Sequence, residues 1–480
     1  MIPACTRLCL MLVVLLTGCR LMGNASKPGD YGTGPAVWDE PTEHNDDSWL
    51  FASDRINLIE LEIGEDAMKI LRSERRFSYP RNKVLGTASI DGEVVGDVGI
   101  RMRGGLGSFS GIDNKPKLEI DFNEYSGERF YELESLSLNN MIADCTGLRE
   151  AISFAAYGHL GLPTSRTGYA QLFVNGQDYG LMLVVETQDD RWLKQNFENG
   201  DGNFYDGKYV LAGMWPKLVD FGIDRDHWFD LEEGEDIDFA DIEAISQGVL
   251  DAEEYGCIDS AFEDRVDWDQ ILTMLRVEQW IGNEDGFISP NNYRVYFEAG
   301  KPMIVSPWDL DAAFPVNDNE GFVERSVRIG QENGSEEESE PWDPKVSFST
   351  DSWEDPGSSL PRVCLDDPAC RDFWDHKGPI VNEQLMDGTL FELALELDAL
   401  ISKGRAGDPR LDCEEETIDG TVNAVLAYLE TGEMDDWGDG GEEYGCSQTG
   451  STSLPKSILP ALLGLLGLAV RRRCQDRQAS

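Results

Sequence analysis

Residues 277–314, VEQWIGNEDGFISPNNYRVYFEAGKPMIVSPWDLDAAF, carry three aspartates and two adjacent asparagines at the mouths of an apolar hairpin. Val277, Trp280 and Ile281 recur at helical spacing and run into Asn283, Glu284, Asp285 and Gly286, so the spacing predicts a helix that ends in an acidic loop. After Asn291 and Asn292, YRVYF reads as a strand, Gly300 as a turn and MIVSPW as the returning strand. Its exit carries Asp309 and Asp311, two carboxylates that share a face under strict alternation and can bind one hard cation where the backbone turns. Singly, each residue reads as an ordinary turn or cap residue. Clustered, the five side chains suit an oxygen-ligand Mg²⁺ site.

Upstream, order begins near Leu50: INLIELEI alternates as a strand, EDAMKILR reads as a helix, and TASIDGEVVGDVGIRMRGG gives two strands across Asp91-Gly92. The glycine-rich GGLGSFSG precedes the strand KPKLEIDF, whose Lys117 and Lys115 offer point charges to a phosphate; the alternative is a surface hairpin with solvated lysines. Residues 144–161 read as a helix capped by Asp144 and stopped by Gly161 and Pro163. YAQLFVNGQDYGLMLVVE follows as a hairpin around Asn175-Gly176 that ends at Glu186, and DDRWLKQNF begins another helix. Residues 330–344 form an acidic low-complexity insertion, and FELALELDALISK and ETIDGTVNAVLAYLE are amphipathic helices.

The chain is 480 residues long with 91 acidic residues against 40 Lys plus Arg, a formal charge of -51. A surface this acidic repels a phosphate backbone, which excludes nucleic acid as a partner. Residues 1–19, with Arg7, an apolar run and Cys19, read as a secretory signal and resemble a bacterial lipoprotein signal, which implies a lipid anchor on Cys19. Residues 20–49 read as a flexible tether, 433–456 as an acidic linker and spacer, and 457–480 as a short apolar tail with an arginine cluster. That tail is too short for a stable span and resembles a bacterial surface-sorting segment. Of the ten cysteines, Cys364 and Cys370, close together in what reads as an acidic loop, are the easiest pair for a disulfide in an oxidising compartment. No C-x-x-C motif and only four histidines speak against structural zinc.

Several separated motifs resemble the CotH kinase family: IDGEVVGDVGIRMRGG with NKPKLEIDF, LREAISFAAYGHLGLPTSRTGYAQLFVNGQDYGLMLVVE, GNFYDGKY, WIGNEDGFISPNNYRVYF and SPWDLDAAF. The resemblance spans about residues 50–432. It implies an α+β, atypical protein-kinase-like, two-lobed fold with a strand-rich N-terminal lobe (50–186) and a helix-rich C-terminal lobe (187–432). It also implies ATP with Mg²⁺ or Mn²⁺, with Asp285 as the catalytic aspartate, and Asp309, Asp311, Asn292 and Asn291 around the metal. Lys117, or Lys115, would serve the phosphates; Glu150 would pair that lysine, and Glu186 would lie near the base. The glycine-rich segment is not Gly-x-Gly-x-x-Gly, and Pro116 separates lysines that the family often has adjacent. The expected activity is γ-phosphoryl transfer to an extracellular or envelope protein, or to glycan, from a membrane-anchored position at the cell surface. The alternatives are a kinase-like adhesion or envelope-assembly module without turnover, and a calcium-stabilised scaffold.

Overall fold

The computed structural model describes residues 46–432, apart from 77, 79, 106–107, 208–209, 213–214, 218–219, 223–228, 284, 315–357, 412 and 414. The expected export signal, most of the expected tether, the 330–344 insertion, and the expected linker and tail lie outside the described residues. Among the described residues no helix is long and apolar enough to cross a membrane.

The chain is mixed α+β. Seven strands close into a barrel: β1 (Ile56–Ile63), β2 (Lys83–Ile90), β3 (Glu93–Arg103), β4 (Lys117–Asp121), β5 (Ser135–Asn139), β6 (Thr167–Val174) and β7 (Gln177–Glu186). Their order is β1-β2-β3-β4-β5-β7-β6, and β1 pairs in parallel with β6 to close the ring. Helix α1 (Glu65–Ser73) follows β1. The two predicted hairpins form as expected: Asp91 and Gly92 have φ of 48° and 78°, Asn175 and Gly176 51° and 71°, the left-handed pair that a two-residue turn demands. Alternation then sorts the faces. Leu118 and Ile120 on β4, with Met182 and Val184 on β7, enter the barrel core. Leu181, Leu183 and Val185 pack instead into a second core with the helices.

That second core is built by α2 (Arg149–His159), α3 (Asp190–Asn196), α4 (Ala240–Tyr255), α5 (Ile258–Phe262), α6 (Trp268–Trp280), α7 (Ser359–Asp366), α8 (Pro368–Leu385), α9 (Thr389–Ala406) and α10 (Glu415–Thr431), except that α3 keeps Trp192 and Leu193 in a small cluster of their own with Phe204 and Tyr296. A four-stranded sheet, ordered β11 (Phe229–Glu233), β8 (Asn203–Gly207), β12 (Tyr293–Phe297), β13 (Ile304–Pro307), lies among them; β9 (Val210–Ala212) and β10 (Trp215–Lys217) pair separately. The predicted hairpin around Gly300 is the β12–β13 pair.

The helix expected over 144–161 starts later, at Arg149. Asp144 still serves that end: its carboxylate accepts from the backbone N–H of Thr146 at 3.0 Å and of Arg149 at 2.9 Å, so it holds the approach to the helix from five residues away. The tether boundary also moves, because Asp47 is buried against Arg166 and Arg191.

Lys115 turns away from Lys117's partners and toward β7. It is buried, pairs with Asp408 just after α9, and donates to the Leu181 carbonyl at 2.8 Å. Asp408 also accepts from Leu181 N at 2.9 Å, and passes so close to the chain that a Cβ on Gly180, where φ is +80°, would lie 2.0 Å from it. Arg410 continues the strap, donating to Asp113 O at 2.6 Å and stacking over Tyr179. A disulfide between Cys145 and Cys413 fastens the strap to the segment before α2. The expected pair Cys364–Cys370 is bonded, but it joins α7 to α8 and does not lie in a loop; Cys257 is disulfide-bonded as well.

Candidate functional site

Four segments bring charge together on the outer face of the barrel strand β4: β4 with Lys117, α2 with Glu150, the loop after α6 with Asp285, and the exit of β13 with Asp309 and Asp311. Because Leu118 and Ile120 face the barrel core, Lys117 lies on the opposite face of β4, and its ammonium pairs directly with Asp309. Glu150 is not its hydrogen-bond partner. That carboxylate accepts from Asn139 Nδ2 at 2.6 Å and acts on Lys117 through space.

Asp285 is held at both oxygens, accepting from Asn291 Nδ2 at 2.8 Å and from Asn292 Nδ2 at 3.1 Å. Asn292 also donates to Asp285 O at 2.9 Å and reaches Asp309 O at 3.5 Å, so one carboxamide links the two aspartate-bearing loops. Both linked positions are left-handed, with φ of 47° at Asn292 and 51° at Asp309. A non-glycine residue enters this region at a cost, and here the turn at Asp309 breaks the strand alternation that would otherwise fix where Asp309 and Asp311 point. Arg149 holds the turn from α2, donating to Ala313 O at 2.6 Å and to Asp311 O at 3.5 Å.

The electrostatics follow from burial. Burial alone would lower Lys117, but the charges of Asp309, Asp311 and Glu150 outweigh it and keep the ammonium protonated well above its ordinary range. Burial raises Glu150 to about 7, with Lys117 opposing and Asp309 adding. Burial likewise raises Asp285 to about 6 against the Asn291 hydrogen bond, with Asp309 adding. Asp311 is pushed well above the carboxylate range by burial and then by Asp309.

Lys117 thus faces Asp309, Asp311 and Glu150, and Asp285 adds a further carboxyl beside Asp309, while the Arg149 guanidinium is spent on backbone carbonyls. A donor set of hard oxygens with excess negative charge fits a divalent cation such as Mg²⁺ or Mn²⁺. Asp285, Asp309 and Asp311 do not close into a tight oxygen trio among the described residues, and Mg²⁺ needs none: one or two carboxylates suffice beside water and phosphate oxygens.

Glu186 takes no part in this cluster. Its carboxylate is bound by Arg166, at 2.9 Å from Nε, and by Arg191 at 3.4 Å, so its side chain is committed to guanidinium groups at the end of β7. Lys115, committed to Asp408, is likewise outside the cluster.

Sequence reading missed Glu278. This fully buried carboxyl accepts from Phe287 N at 2.8 Å and Ile288 N at 3.1 Å, and so sets the path of the Asp285 loop. Burial raises it to about 8 against those two hydrogen bonds. Gly286 is required by the same contact, since a Cβ there would sit 2.3 Å from Glu278 Oε1. The signal was present: Glu278 follows Met274 and Leu275 at the four- and three-residue spacing of the buried face of α6.

The family model described as CotH kinase protein matches residues 100–391, more than half of the chain and a span that holds Lys117, Glu150, Asp285, Asn292 and Asp309. No curated protein matches the chain. With four motif-bearing segments meeting at one charged site and that match across them, the chain belongs to the CotH kinase protein family.

Proposed function

We propose that the protein is an atypical kinase that transfers the γ-phosphoryl group of ATP to a hydroxyl of an extracellular or envelope protein. The barrel and the helix-rich remainder act as its two lobes. In this reading it is exported and held at the cell surface through its two ends, as residues 1–19 and 457–480 suggest. The observation that carries the reading is the Lys117–Asp309 ion pair beside an Asp285 that Asn292 ties to the same turn.

Phosphoryl transfer asks for positioning and charge more than for covalent chemistry from the protein. The acceptor hydroxyl oxygen forms the new bond to the γ-phosphorus, the bond to the bridging oxygen breaks, and ADP leaves with that electron pair. Asp285 orients the hydroxyl and takes its proton. Two carboxamides fix both its oxygens, and a pKa raised to about 6 places it near the working pH of a general base. Lys117, held charged by its neighbours, offers a point charge to the non-reacting phosphates. Asp309, with Asp311 and Asn292, would hold Mg²⁺ or Mn²⁺, whose chemistry when bound is neutralisation of charge on the transferring group. The test is transfer of label from γ-labelled ATP to envelope proteins. Asp285→Asn and Asp309→Asn are expected to abolish it with the fold intact, and unchanged transfer in both removes the proposal.

A further inference from the structure

A second group of carboxylates shares no member with the Lys117–Asp309 site. Glu134 precedes β5, Asp189 and Asp190 open α3, and one carboxylate oxygen from each comes within 4.8 Å of the others. Asp189 is only 8% exposed. Its Oδ1 accepts the backbone N–H groups of Arg191 and Trp192, each at 3.0 Å, whereas its Oδ2 is buried with no hydrogen-bond partner. A buried carboxylate oxygen without a donor is costly, and a cation is the ligand that relieves it. We infer that Glu134, Asp189 and Asp190 form a binding site for a divalent cation of the calcium class, with ligands other than those of the Lys117–Asp309 cluster.

Charge and size agree with this choice. Glu233, on the edge strand β11, is pushed up to about 7 by burial and then by Asp190, Glu134 and Asp189, so a fourth acid faces the group. The cations present are Arg129, which donates to Asp190 Oδ1 at 2.7 Å and reaches Glu134 Oε2 at 3.3 Å, and Lys194, at 2.9 Å from Asp190 Oδ2. Asn123 Nδ2 donates to Glu134 Oε1 at 2.7 Å. None of them reaches Asp189 Oδ2. Oxygens within 4.8 Å of one another can all touch Ca²⁺, whose coordination sphere is about 4.6–5.2 Å across, whereas Mg²⁺ would draw them to within about 4.2 Å. Binding would displace Arg129 and pin the 187–189 connector and the first residue of α3 to the start of β5.

The test is calorimetric titration of the full chain with CaCl₂ in 150 mM KCl and 2 mM MgCl₂, conditions that suppress diffuse binding to an acidic surface. One equivalent is expected, with a Kd on the order of 10⁻⁴–10⁻³ M as in extracellular modules. It should persist in Asp309→Asn and weaken at least tenfold in Glu134→Gln/Asp189→Asn, a double variant whose introduced carboxamide oxygen still caps the helix. Arg129→Gln, which removes the competing guanidinium, should tighten it several-fold, and this variant decides the matter if the double variant does not fold. No saturable equivalent in the wild type, equal binding in the double variant, or unchanged binding in Arg129→Gln overturns the inference.

Discussion

Replacing Lys117 with methionine keeps the length and apolar volume of the side chain but leaves Asp309, Asp311 and Glu150 without their shared cation. Removing one partner of a buried pair costs roughly 3–5 kcal/mol, because the remaining charge is neither solvated nor paired. The chain can relieve part of that cost by protonating Glu150, which burial already raises to about 7 against the pull of Lys117. The loss in Lys117→Met is therefore expected to be larger at pH 8 than at pH 5. Asp309→Asn alone leaves Lys117 facing Asp311 and Glu150 and should cost less. The double variant Lys117→Met/Asp309→Asn should recover about 1–3 kcal/mol relative to the sum of the two single losses. Urea unfolding in the presence of chelator measures this without screening the charges, and the midpoint and slope give the free energies. A Lys117→Met loss under about 1 kcal/mol at pH 8, or a cycle that closes to zero, would refute the claim that this lysine holds the carboxylates together.

Two further outcomes follow from the same contacts. Glu278, raised to about 8 from an ordinary 4.5, favours the folded state when neutral, so its contribution is present below pH 4.5 and is lost as pH rises toward 8. Glu278→Gln should flatten that slope by up to about 5 kcal/mol, read from urea midpoints between pH 4.5 and 8; an unchanged slope contradicts the assignment. Breaking the Cys145–Cys413 bond, which spans 268 residues, with Cys145→Ser/Cys413→Ser should lower unfolding stability by roughly 2–5 kcal/mol, and an unaltered midpoint would show that the strap is held without it.

Local chemistry was legible in the sequence, and long-range pairing was not. Asp91-Gly92 and Asn175-Gly176 announced their hairpins because the turn needs residues that tolerate positive φ. The parallel β1–β6 pairing that closes the barrel joins segments more than 100 residues apart and has no local signature, and β5, SLSLN, is too short and polar to stand out. The aspartates and asparagines that the structure brings together were legible because they cluster in one stretch, Lys117 because it lies on a strand after a glycine-rich segment, and Glu150 only through the family resemblance. What separates Lys117 from Lys115 is their partners: Asp309 for one, and for the other Asp408, nearly 300 residues away. Glu278 was passed over because a charged residue in an amphipathic helix is ordinarily solvated, and here it lies on the buried face.

The most direct measurement of the central claim is calorimetric titration of ATP into the protein with and without Mg²⁺ or Mn²⁺. One metal-dependent site is expected, lost in Asp309→Asn and weakened in Lys117→Met. Absence of ATP binding at millimolar Mg²⁺ and Mn²⁺, or binding that survives unchanged in Asp309→Asn, would contradict it.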